Sequence, residues 1–62
     1  MISKGSVVMT ARGQLFVALG RLYLDGAKKG WYGIGFNGER VADDNPRFVA
    51  MNVNAYIWCI QQ

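Results

Sequence analysis

The carboxylates that could do acid–base chemistry in this chain are only Asp25, Glu39, Asp43 and Asp44, and its 62 residues include no histidine. Without an imidazole there is no Ser-His or Cys-His pair to activate a nucleophile, and no Cys/His cluster of the zinc-site type. The single cysteine, Cys59, lies in the apolar run Y-I-W-C-I, where an inert buried thiol is expected rather than a reactive thiolate. Asp43-Asp44 is the one adjacent carboxylate pair, of a kind that can hold a divalent cation or divide acid and base roles. Adjacent acids directly before Asn45-Pro46 also suit a solvated turn, and the turn is the reading adopted. No catalytic residue, metal or cofactor is assigned, and the chain is read as non-enzymatic.

A second chemical signal is G-I-G-F-N-G, Gly33 to Gly38, which has the G-x-G-x-x-G spacing of dinucleotide-binding loops. That fingerprint works only when a strand leads into the glycine turn and a helix N-terminus then faces the pyrophosphate. Here a charged return, Glu39-Arg40, and the breaker Asp43-Asp44-Asn45-Pro46 follow instead. Asn37-Gly38 reads as a hairpin signal, expected to form the centre of a type I′ turn. Gly33 and Gly35 would then share a strand face with Trp31, where missing side chains let a neighbouring backbone come close.

The elements around these residues read as strands. Ser6–Thr10 is β-branched and bounded by glycines. Gln14–Leu24, if extended, places Phe16, Ala18, Gly20, Leu22 and Leu24 on one face and Leu15, Val17, Leu19, Arg21 and Tyr23 on the other; Gly20 inside the run argues against the rival helix. Asp25–Gly30 reads as a polar connection, and Trp31–Phe36 as a strand with Tyr32, Ile34 and Phe36 on one face. Glu39–Ala42 returns beside it. In Arg47–Gln62 the β-branched and aromatic content favours two strands with a turn near Asn54, over a helix starting at Asn45 with Pro46 at its first position. The expected fold is all-β: one domain over residues 1–62, a small, strongly bent antiparallel sheet or SH3-like barrel of four to five strands. In outline the K-G-S-V-V opening, the G-W-Y-G-I-G-F-N-G-E-R-V hairpin and the apolar terminal strand resemble SH3-like small barrels, a likeness of architecture that does not fix function.

Size limits what such a fold can do alone. A chain of 6.9 kDa buries only about 60% of the surface its unfolded form exposes. Small scaffolds therefore lean on disulfides, metals or partner subunits; one cysteine and no histidine leave the partner subunit. At 52% hydrophobic, with a mean hydropathy of +0.08, the chain is expected to self-associate. The stretch M-I-S-K-G-S-V-V-M-T lacks the sustained apolar core of a secretory signal, and no apolar run is long enough for a bilayer, so a cytoplasmic location without membrane insertion is expected.

What remains is binding. The net charge is +3 and the isoelectric point about 9.4. Arg21, Tyr23, Lys28, Lys29, Trp31, Tyr32 and Arg40 are the candidate binding residues, gathered around the central hairpins. The leading expectation is a protein-interaction module, a regulator or inhibitor that covers a partner's surface with aromatic and arginine anchors. The alternatives are a nucleic-acid-binding small barrel, in which the cations meet phosphates and Tyr23 and Trp31 face outward to stack on bases, and an intersubunit pocket. In the pocket Trp31 or Tyr32 would stack on a small anionic ligand and Arg40 would hold its charge.

Overall fold

The computed structural model describes residues 1–62 as five strands and one helix: β1 (Ser6–Met9), β2 (Leu15–Leu24), β3 (Ala27–Gly35), β4 (Arg40–Asp43), β5 (Arg47–Met51) and α1 (Val53–Ile60). Neighbouring strands pair antiparallel in a single sheet of order β4-β3-β2-β1-β5. The two outer strands do not pair with each other, so the sheet is open. The all-β expectation holds in its bent-sheet form and not as a closed barrel. No helix is long and apolar enough to cross a membrane.

Alternation along the strands supplies two cores from one sheet. Successive side chains point to opposite faces, so Val8 and Phe16 join Ala18, Trp31 and Val41 on one face, with Ile2 packed against them. Their neighbours Val7 and Val17 join Ala55 and Cys59 of α1 on the other, flanked by Leu19, Ile34 and Trp58. The first face has no helix to cover it and closes by curvature. Two bulges in the β2–β3 ladder, with Leu19 extra on β2 and Lys29 extra on β3, supply bending of that kind. A Cβ at Gly33 would overlap the carbonyl oxygen of Val17, so the close backbone approach expected at this glycine is present.

The β2–β3 and β3–β4 hairpins differ from the expected turns. Asp25 and Gly26 have φ of 51° and 81° between the paired residues Leu24 and Ala27, which is the two-residue type I′ pattern. The expected connection Asp25–Gly30 thus shrinks to two residues, and Lys28 and Lys29 belong to β3. At the other hairpin, Gly38 N–H donates to Gly35 C=O at 2.9 Å and Gly35 N–H donates to Glu39 C=O at 2.7 Å. Only Gly38, at φ 85°, is left-handed; Asn37 is not. The loop therefore has three residues and is not type I′. Asn37 is held by its own side chain, whose Oδ1 accepts from Glu39 N–H at 3.0 Å.

The C-terminal segment needs the larger correction. Its first part is a strand as expected, but Val53–Ile60 is a helix, and it starts neither as a strand nor at Asn45. Asn52 is the reason. Its backbone is extended and its Oδ1 accepts the Ala55 N–H at 3.0 Å, satisfying one of the donors that a helix start leaves free. Ala55 and Cys59, four residues apart, then fall on one helical face and are buried against the sheet, which outweighs the β-branched content.

Candidate functional site

The seven candidate binding residues do not share one surface. Trp31 and Tyr32 are adjacent in β3 and so face opposite sides of the sheet. Trp31 is only 9% exposed and belongs to the core, so it does not face outward as the nucleic-acid alternative requires. Arg21 is its cross-strand neighbour and lies over its ring, with Cζ 4.7 Å from the centroid. A cation placed so near an aromatic face gains about 0.5–2 kcal/mol, more as water is excluded. Arg21, Lys28, Lys29 and Trp31 line one cleft of about 420 Å³ together with Asp44.

Tyr32 and Arg40 line a different cleft of about 540 Å³, where β3 and β4 meet α1 and where Ile34, Val41 and Ile60 form apolar walls. Tyr32 lies across the backbone at Gly20, its cross-strand partner. Tyr23 is exposed, pairs across the ladder with Lys28 and lines neither cleft.

Asp43 and Cys59, two of the groups considered for catalysis, make local structural contacts. Asp43 Oδ2 accepts the Asn45 N–H at 3.3 Å, the local bond of a turn. Cys59 is buried on the helix side, and burial pushes its thiol above the ordinary value, opposed by a backbone contact with Ile34. No three His, Cys, Asp or Glu side chains come together in a metal-ligating cluster.

A further run of exposed apolar side chains lies elsewhere and was not foreseen. β5 is an edge strand in which every residue is exposed, although Phe48, Val49, Ala50 and Met51 are all apolar. Phe48, Val49 and Met51 are 45%, 50% and 52% exposed, and Val53 and Ile57 of α1 are exposed as well. Phe48 and Met51 pair with Val8 and Ser6 of β1 and lie on the face that α1 leaves uncovered. The sequence does carry a signal for this surface: from Phe48 to Gln62 it contains no charged side chain. Comparisons with protein-family models, curated proteins and solved structures gave no match.

Proposed function

We propose that this protein is a non-catalytic protein-interaction module whose docking surface is the edge strand β5, and that the surface is occupied by a second copy of the chain. The observation that carries this is a strand of four apolar residues in five with no buried side chain. Contiguous exposed apolar surface on a small domain marks an interaction site. It also supplies the extra burial that a 62-residue chain without a disulfide lacks.

Charge favours a like partner. Each copy carries +3, but all of its cations lie between Lys4 and Arg47, so the uncharged stretch from Phe48 onward can meet its equivalent without opposing like charges. The bulge in β5, where Val49 is the extra residue, interrupts the outer ladder and shifts the contact from strand addition toward side-chain packing. Such a module acts by joining or covering surfaces, and regulation or inhibition of a larger partner fits that mode of action.

Light scattering behind size exclusion tests the reading. The wild type is expected at twice the monomer mass, largely insensitive to salt, with Phe48→Lys and Met51→Lys monomeric and unchanged in far-ultraviolet circular dichroism. A wild type that stays monomeric at every concentration, or variants that stay dimeric, would overturn it.

A further inference from the structure

We infer a second site, independent of the apolar face: the cleft between Arg21, Lys28 and Lys29 binds a phosphate group. Three cations and one carboxylate, Asp44, line it, so it holds most of the excess charge of a chain whose net charge is +3. The cations are not spent on internal pairs. No side-chain hydrogen bond of the fold reaches Arg21, Lys28 or Lys29, and Arg21 Nε is buried without a partner.

Arg21 is also held in place. Its guanidinium lies over Trp31, which is itself fixed in the core, so the charge is positioned at the cleft before any ligand arrives. A planar fork suits the paired oxygens of phosphate better than a freely rotating ammonium does. The lysines come to the same cleft through the ladder: the type I′ turn at Asp25-Gly26 starts β3 early, and the bulge at Lys29 breaks strict alternation beside Lys28.

The same geometry limits the ligand's chemistry. Arg21 already covers the Trp31 ring, so the aromatic face is not open to a base, and recognition rests on phosphate charge and oxygen geometry, not on base identity. A cleft of about 420 Å³ is within the range of small-ligand sites. Small metabolites and nucleic-acid backbones both carry such a phosphate, and the test separates these sources.

The experiment is titration of the uniformly ¹⁵N-labelled full chain, followed by NMR, with three probes: inorganic pyrophosphate, adenosine monophosphate and a single-stranded oligothymidine. Shifts are expected at Arg21 Nε–H, the Trp31 indole N–H and the Lys28–Gly30 amides. Lys28→Ala with Lys29→Ala, both exposed positions, should weaken binding about tenfold or more while leaving the spectrum folded. Arg21→Lys, which keeps the charge and loses the fork, should also weaken it. Binding of pyrophosphate and the mononucleotide as tightly as the oligonucleotide assigns the site to small phosphorylated ligands. Binding of the oligonucleotide far more tightly, with steep salt dependence, assigns it to a nucleic-acid backbone. No shift with any probe, shifts centred on Arg12 or Arg40, or affinity unchanged in the double variant overturns the proposal.

Discussion

Phe36 and Trp58 stack with ring centroids 5.7 Å apart and planes 19° from parallel, which ties the tip of the β3–β4 hairpin to the helix over the sheet's second face. Such ring pairs contribute about 0.5–1.5 kcal/mol beyond the area they bury. Urea unfolding of Phe36→Leu, Trp58→Leu and the double variant should therefore give a coupling energy of about 1 kcal/mol. Purely additive losses would mean that the stack does not couple hairpin and helix.

Gly33 is the position least able to accept a side chain. Its Cβ would overlap the Val17 carbonyl oxygen, a backbone atom of the central strand that no rotamer change can remove. Gly33→Ala should cost more than about 3 kcal/mol, a large share of a small domain's stability, and abolish a cooperative thermal transition. Gly13→Ala is the control. Unlike Gly33 it has a positive φ, 86°, and nothing lies within 4 Å of its Cβ, so only about 1 kcal/mol of backbone strain is expected there. Equal melting of the two variants would refute the close approach.

The strands were legible because alternation and turn residues agree over Ser6–Met9, Leu15–Leu24 and Trp31–Gly35. The type I′ turn expected at Asn37-Gly38 forms instead at Asp25-Gly26, within the stretch read only as a polar connection. Asn-Gly and Asp-Gly are equivalent signals at the level of residue type, and the choice between a two- and a three-residue loop depends on contacts made elsewhere, such as Asn37 with Glu39 and Phe36 with Trp58. The split of the candidate site has a simpler origin. Trp31 and Tyr32 are neighbours in sequence but lie on opposite faces, so proximity in the chain placed Arg21 and Arg40 together when the sheet holds them apart. Exposure of β5 depends on which strand ends the sheet, a property of topology that residue types alone do not carry.

Helix α1 rests on one capping residue. Asn52 Oδ1 meets the Ala55 N–H at 3.0 Å, and the first turn has no acidic side chain to reinforce it. Asn52→Ala should destabilise the protein by about 1 kcal/mol and reduce helical signal, whereas Asn52→Asp should retain or improve both, because a carboxylate caps as well and also favours the positive end of the helix dipole. Equal stability of the alanine and aspartate variants would show that the cap contributes nothing.

Cys59 gives a prediction for alkaline pH. Burial disfavours the thiolate, so the folded protein holds this proton at a pH where the unfolded chain has begun to lose it. Once the unfolded thiol titrates, the unfolded state binds fewer protons than the native one and stability falls with rising pH. The contribution is therefore complete below the ordinary thiol value and lost as pH climbs through the raised folded value. Lysines and tyrosines titrate in the same region, so the readout is the stability difference between the wild type and Cys59→Ala. That difference should be constant through neutral pH and shift against the wild type in the alkaline range. A thiol-specific reagent at neutral pH should label Cys59 only as fast as the helix side opens, with denaturant accelerating the reaction. Labelling at the rate of a free thiol in the folded protein would show that Cys59 is accessible and remove the basis for the pH effect.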